Sequence, residues 1–435
     1  MIFRCSVLGL ALVFASTFAA SAADMTGHWE GQAINGSAVT PIAFDFATRD
    51  GELTGGVSFS RSGILESPMT TVTLKRNRLR VVFMSRNVAR SFDGKVRGDE
   101  INGAFTMGGE KYEASLTRVP QEKPYSEEDV VYHNGDVSIA ATLFMPTSEG
   151  RHPALVMMHG SGENERYRYR FLADFYARLG IACLFADKRG CGESGGDWRK
   201  VGFEPLAWDG IRGVEWLKQR EDIDPDRIGM TGISQAGWIM SLAAALSDDV
   251  NFLVVNSGAN VTVEEEGYFD YIVALKDKGY GEDVLAKAHA ILVQDNVVTR
   301  TSEGYEKLSE MLAEVKEEPW RKDFRFFATP AKMRANSFYK KIVDFDPVPY
   351  MEQNDIPVLW NYGADDKSVK PEDSIAILNR IDEELDKDYT TNVYPHADHG
   401  IYVAPDPEKD ALPLRVYAPD YIDDVSSWLR KQVLN

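Results

Sequence analysis

The stretch Thr231 to Trp238, TGISQAGW, decides how this chain is read. Just before it, RIGM supplies the apolar run of a strand, and from Ala236 the sequence AGWIMSLAAAL has the composition and length of a helix. A strand that runs into Gly232 and a helix that begins directly after Ser234 place that serine at a sharp turn. The stretch comes close to the pattern G-x-S-x-G, but the residue two after Ser234 is Ala236, and Gly237 comes one place late. The requirement behind the pattern is one of size. The serine backbone is strained, so its neighbours two before and two after must be small enough for strand and helix to approach. Gly232 meets this and Ala236 adds only a methyl. A helix cap is the plainer role for such a serine, so the other strand ends have to decide.

A serine hydroxyl attacks a carbonyl at neutral pH only if a base takes its proton and donors receive the oxyanion. ALVMMHGSG (Ala154 to Gly162) ends a strand in a glycine-rich loop. The N–H of Ser161, or with less support that of Gly162, is therefore a candidate oxyanion donor together with the N–H of Gln235. His159 is read as a brace for this loop. VLWNYGADDKSV (Val358 to Val369) puts Asp365 and Asp366 just after another strand, where an acid orients a histidine; the G-x-x-D-x-x-V spacing favours Asp366. NVYPHADHG (Asn392 to Gly400) places His396 and His399 after the last strand, and His399, followed by glycine, is the favoured base. The strand ending NSGAN (Asn256 to Asn260) carries no acid and removes the main competing position. Ser234, Asp366 and His399 then follow one another in the chain order of α/β hydrolases.

The 435 residues suggest two domains. Residues 1–23 read as a cleaved secretory signal: one arginine, an apolar run from Val7 to Ala20, and an A-x-A pattern at Ala20 and Ala22. From residue 24 to 120, short alternating runs are cut by turn pairs such as Asn35-Gly36, Gly55-Gly56 and Asn102-Gly103, which predicts an antiparallel β domain, a small sandwich or barrel. A charged, proline-containing linker covers 121–129. From 130 to 435, fully apolar runs alternate with helical stretches, the grammar of a parallel sheet with crossover helices. That alternation is interrupted at about 260–349 by helical sequence such as EDVLAKAHAILVQ, an insertion placed to act as a cap.

A formal charge of −19 argues against nucleic acid and anionic membrane as partners. No run after the signal is long and apolar enough to span a bilayer. The acidic runs Glu264 to Glu266 and Glu127 to Asp129 read as solvated surface. No Cys/His spacing suggests a metal site, and no cofactor is expected. Cys183 and Cys191 allow a disulfide without demanding one, and two free thiols are favoured.

LFADKRGCGESGG (Leu184 to Gly196) resembles the D-x-R-G-x-G-x-S loop of α/β hydrolases. With HGSG, GISQAG, GADDKSV and DHG in family order, the chain from about Tyr125 onward is similar to exported bacterial esterase-like and prolyl-oligopeptidase-like serine hydrolases, some of which carry a small N-terminal β domain. The resemblance implies an α/β-hydrolase fold: a mostly parallel central sheet with flanking helices and a helical cap insertion. It assigns Ser234 as nucleophile, His399 as general base and then acid, and Asp366 as the group that holds the imidazole. Asp187, Arg189 and Gly190 are structural by the same resemblance. The expected activity is hydrolysis of a small carboxylic ester through an acyl-enzyme, after export to the periplasm or beyond. Two alternatives stand beside it: a peptidase releasing aminoacyl or dipeptidyl units from short peptides, and an inactive hydrolase scaffold that binds through its β domain. Tyr268, Phe269, Trp320 and Phe326 are candidates for the pocket wall, with cap core as their plainer role. The oligomeric state is left open.

Overall fold

In the computed structural model, residues 24–85, 88–324, 326 and 337–434 are described. The expected signal at 1–23, with Cys5, lies outside them.

Eight strands, β1 (Gly27–Asn35), β2 (Ala38–Arg49), β3 (Glu52–Phe59), β4 (Ile64–Lys75), β5 (Arg78–Ser85), β6 (Val88–Arg97), β7 (Glu100–Met107) and β8 (Glu110–Val119), pair in sequence order. β8 closes antiparallel onto β1, so the sheet is a barrel without edges. Strand alternation explains its filling: along β2, Ala38, Thr40, Ile42, Phe44 and Phe46 turn inward while their neighbours turn out. Trp29, Phe44, Phe59, Phe83, Phe92 and Phe105 are fully buried. Ring pairs such as Phe92–Phe105, 5.1 Å between centroids, leave an interior of packed side chains.

The second unit is an eight-stranded sheet. A hairpin of β9 (Tyr125–Asn134) and β10 (Val137–Pro146) leads into β11 (His152–Met157), β12 (Ala182–Ala186), β13 (Ile223–Ile233), β14 (Leu253–Asn256), β15 (Val358–Gly363) and β16 (Tyr389–Tyr394). Their order across the sheet is β16-β15-β14-β13-β11-β12-β10-β9, and all pairs from β12 to β16 are parallel. β11, β12 and β15 are buried along their whole length, because alternate residues feed two cores on opposite faces: Val156 one, Leu155 and Met157 the other. Helices α1 (Arg170–Arg178), α2 (Phe203–Lys218) and α3 (Ala236–Leu246) make the crossovers. This is the α/β-hydrolase fold.

Between β14 and β15 the chain leaves the sheet for α4 (Val263–Asp277), α5 (Glu282–Thr301), α6 (Tyr305–Glu314), α7 (Phe338–Ile342) and α8 (Val348–Gln353). α4 starts with a capping box in which Thr262 and Glu265 satisfy each other's backbone N–H. The insertion has its own apolar core of Leu275, Ile291, Leu292, Trp320, Phe324 and Phe326. Trp320 and Phe326 thus serve cap core rather than pocket wall. Tyr268 packs on the same core and donates to Glu264.

After β15 come α9 (Pro371–Leu385), a small ladder of β17 (Tyr402–Val403) with β18 (Val416–Tyr417), and α10 (Tyr421–Leu429). Between β17 and β18 the chain reaches back to the barrel. Ala411, Leu412 and Leu414 join the barrel core. Val39 N–H donates to Lys409 O at 3.1 Å, Leu412 N–H to Thr40 Oγ1 at 3.2 Å, and Arg61 pairs with the buried Asp410 at 2.7 Å. A second tie lies on the linker side, where Glu66 of β4 accepts from Lys123 at 2.8 Å and Arg170 at 2.6 Å. Glu127 accepts from the same two cations, while Glu127, Glu128 and Asp129 are all exposed, as expected of a solvated run.

Candidate active site

Ser234 stands between the end of β13 and the start of α3 with φ of 60°. A non-glycine residue there costs on the order of 1–3 kcal/mol and is held by its surroundings. Ser234 N–H donates to Asn256 O at 2.9 Å, and its carbonyl accepts from Gly237 at 2.8 Å. A Cβ added to Gly232 would lie 2.5 Å from the Cβ of Ala236, so these two small residues are in contact across the turn. The late glycine has a separate reason. A Cβ on Gly237 would come 2.8 Å from Gly258 Cα, where α3 crosses the end of β14.

The loop after β11 lies against this turn: a Cβ on Gly160 would be 3.3 Å from Ile233 O and 3.8 Å from the Ser234 Cβ. His159 Nε2 is 2.8 Å from Ala186 O, and burial lowers its pKa to about 4. It is a neutral brace. Ser161 and Gln235 line the same cavity as Ser234, and their N–H groups take no partner among the described residues.

The two candidate acids separate cleanly. Asp366 is fully buried, its Oδ1 accepts the N–H groups of Ser368 and Val369 at 2.8 and 2.9 Å, and its Oδ2 lies 2.8 Å from His399 Nδ1. Such bonding leaves the carboxylate no freedom except to face the imidazole. Asp365 and His396 are 61% and 88% exposed and stand 3.8 Å apart outside this constellation. The close approach of the two loops depends on Gly363, whose added Cβ would meet Asp398 O at 2.3 Å. Asp398 in turn holds the turn after His399 by accepting from Gly400 and Tyr402, and pairs with Arg415.

The D-x-R-G loop has the structural character its resemblance implies. Asp187 accepts the N–H groups of Arg166 and Glu193, Arg189 Nε donates to Asp209 at 2.9 Å, and Gly190 has φ of 75°. Cys183 and Cys191 are free and buried. Lys188, at the variable position of that loop, is buried and donates to Gly160 O, Gly162 O and Gln235 Oε1. Burial lowers its pKa to about 8.

Ser234 and His399 open onto one cavity of about 460 Å³, roofed by the insertion through Val263, Phe338, Tyr339 and Ile342. Two further carboxylates in its wall, Glu266 and Asp270, lie one turn apart on α4. Burial pushes Glu266 up to about 7, with the negative charges of Asp270 and Asp366 adding to it and His399 opposing. Asp270 is raised as well, first by desolvation. The reading of Glu264–Glu266 as solvated surface is therefore corrected: Glu264 pairs with Arg300 and Glu266 faces the cavity. The i, i+4 spacing of Glu266 and Asp270 was the available signal, but nothing in one sequence tells which face of a cap helix looks inward.

Residues 134–397, more than half of the chain, match the family described as X-Pro dipeptidyl-peptidase (S15 family). The chain belongs to this S15 family. The match takes in Ser161, Ser234, Gln235 and Asp366 and ends just short of His399. Among curated proteins, the chain is 33% identical over 136 residues to the quorum-quenching protein AidA of Acinetobacter baumannii. It is 31% identical over 140 residues to the thiohydrolase aneE of Aspergillus aculeatus. These matches take in 31% and 32% of this chain and 43% of each relative, so the chain spans less than half the length of these two curated relatives. Among solved structures, the α/β hydrolase GrgF of Penicillium is 17% identical with a TM-score of 0.47, covering 71% of this chain and all of that one. The esterase Pf2001 of Pyrococcus furiosus is 16% identical with a TM-score of 0.46, covering 72% and 96%. S15 membership and the sheet order place the chain in the α/β-hydrolase superfamily.

Proposed function

We propose that the protein hydrolyses a small carboxylic ester through a covalent acyl-enzyme on Ser234. One observation carries this reading: Ser234, at positive φ, shares a cavity with His399, whose far ring nitrogen is held by the buried Asp366. His399 Nε2 takes the Ser234 proton as Oγ attacks the carbonyl carbon. The tetrahedral oxyanion turns to the N–H groups of Ser161 and Gln235. Collapse expels the alcohol, which takes the proton from His399. Water, deprotonated by the same imidazole, then releases the acid. The name of one relative, a thiohydrolase, fits acyl transfer from a good leaving group to water.

A second reading has its own observation. Glu266 and Asp270 line the same cavity as Ser234, the feature that an aminoacyl or dipeptidyl substrate with a free amine needs, and the S15 family name points the same way. Esters are preferred because Glu266 keeps its proton below about pH 7 and so offers an amine a neutral carboxyl there. Turnover of a short-chain p-nitrophenyl ester, compared with aminoacyl and dipeptidyl p-nitroanilides at pH 7 and 9, decides between the two. The ester reading expects kcat/KM at least tenfold higher for the ester at both pH values. Faster amide cleavage, rising with pH and lost in Glu266→Gln, replaces it with the peptidase reading.

The layout of residues 1–23 further supports export, to the periplasm or the medium. Appearance of the full-length chain in the cytoplasm alone would contradict this.

A further inference from the structure

We propose that Lys188 is a positioning residue of the oxyanion hole: its ammonium group fixes the Gly160–Ser161 peptide, whose N–H is one donor, and ties it to Gln235, which carries the other. The proposal rests on the acyl-enzyme reading of Ser234.

A trans peptide unit is planar, and its C=O and N–H point in opposite directions. Lys188 Nζ lies 2.8 Å from Gly160 O and 3.1 Å from Gly162 O. Asn164 Nδ2 donates to the same two carbonyls at 3.3 Å each and to Ser161 O at 3.1 Å. With the Gly160 carbonyl drawn to that side, the planar peptide leaves the Ser161 N–H for the other, where Gly160 adjoins Ser234. The third bond of Lys188, 3.3 Å to Gln235 Oε1, reaches the first residue after the nucleophile. One ammonium group, delivered by the loop after β12, thus spans the loop after β11 and the turn after β13.

The charge itself calls for a reason. Lys188 is 2% exposed, and no carboxylate among the described residues pairs with it. Its remaining contact is the ring of Trp198, 4.7 Å from Nζ to the centroid. Burying an unpaired ammonium costs several kcal/mol, and a neutral amide would link the same loops without that cost. What the cation adds is a field. By bonding to neutral carbonyls it draws electron density along the Gly160–Ser161 peptide and strengthens its N–H as a donor. It also sets a fixed positive charge, in a medium of low dielectric, near the place where negative charge appears in the transition state and nowhere in the ground state.

The test uses Lys188→Met and Lys188→Gln on a p-nitrophenyl ester, with a trifluoromethyl ketone as the probe of the tetrahedral state. Wild-type turnover that vanishes in Ser234→Ala is established first, so that failure of the acyl-enzyme reading is seen separately. Lys188→Met is expected to lower kcat by about 10²-fold, the scale for losing one oxyanion donor, with KM within threefold and ketone affinity weakened in parallel with kcat/KM. Lys188→Gln, which keeps a donor but no charge, is expected to lose less, about tenfold. Folded variants with kcat within threefold of wild type overturn the proposal, as does a loss confined to KM with ketone binding intact. Failure of both to fold assigns Lys188 to stability and overturns it too.

Discussion

Gly232 and Ala236 meet across the turn that carries Ser234: a Cβ on the first would sit 2.5 Å from the Cβ of the second. The space holds one methyl group and no more. Ala236→Gly, which restores the common pattern, should leave kcat within about threefold of wild type and cost up to about 1 kcal/mol of helix stability. Gly232→Ala and Ala236→Val should each reduce ester turnover by at least tenfold through displacement of Ser234. Steady-state kinetics with circular dichroism on all three checks this; an active Ala236→Val would refute the size argument.

The paired candidates at the acid and base positions give a second expectation. Asp366 is buried against His399, whereas Asp365 and His396 are exposed together. Asp366→Asn should cost on the order of 10⁴ in kcat, because an amide favours the wrong tautomer of the imidazole. Asp365→Asn and His396→Ala should stay within about twofold. A large loss from either exposed residue would move the acid or base assignment.

Glu266 makes stability depend on pH. Its folded-state pKa, about 7, stands above the ordinary 4.5, so the fold favours the neutral carboxyl. The unfolded chain ionises first as pH rises. Stability is therefore full below about pH 4.5, declines through the interval up to 7, and bears the whole penalty above it. Glu266→Gln should be nearly neutral at pH 5 and raise the unfolding free energy by roughly 1–3 kcal/mol at pH 9. Urea titrations at the two pH values measure it. An equal effect at both would show that Glu266 is not held neutral.

The barrel is tied to the catalytic loop by the chain that follows His399. Leu412 is 1% exposed within the barrel core, and Asp398, next to His399, pairs with Arg415 near the end of the same segment. Leu412→Ala should destabilise the protein by about 2–5 kcal/mol, as expected for a buried leucine, and lower kcat more than it raises KM. Thermal unfolding and kinetics on one preparation test both halves. Lost stability with kcat unchanged would show that the barrel does not help to hold His399.

Much of this was legible before any coordinates, for physical reasons. Strand ends announce themselves through glycine and small polar residues, and a triad must gather at one edge of a parallel sheet, so HGSG, GADDKSV and DHG pointed at one another. Alternation along β2 and the turn glycines marked an antiparallel domain, though closure into a barrel depends on β1–β8 pairing between residues such as His28 and Val119, which local pattern does not encode. The segment at Leu412 was invisible for the same reason, since its partner Thr40 lies 372 residues earlier. Glu266 was misread because an acidic run on a helix is usually solvated, and only the docking of α4 over the sheet turns one of its members inward. Lys188 occupied a motif position where any residue is allowed, so its burial among carbonyls left no trace in the sequence.

Every step of the proposed chemistry requires Ser234 as the nucleophile. A fluorophosphonate probe, with intact-mass analysis of wild type and Ser234→Ala, tests it directly. Wild type should gain one adduct mapped to Ser234, while the variant stays folded, unlabelled and about 10⁵ to 10⁶ lower in kcat. Equal labelling of both proteins, or an adduct on another residue, would contradict it.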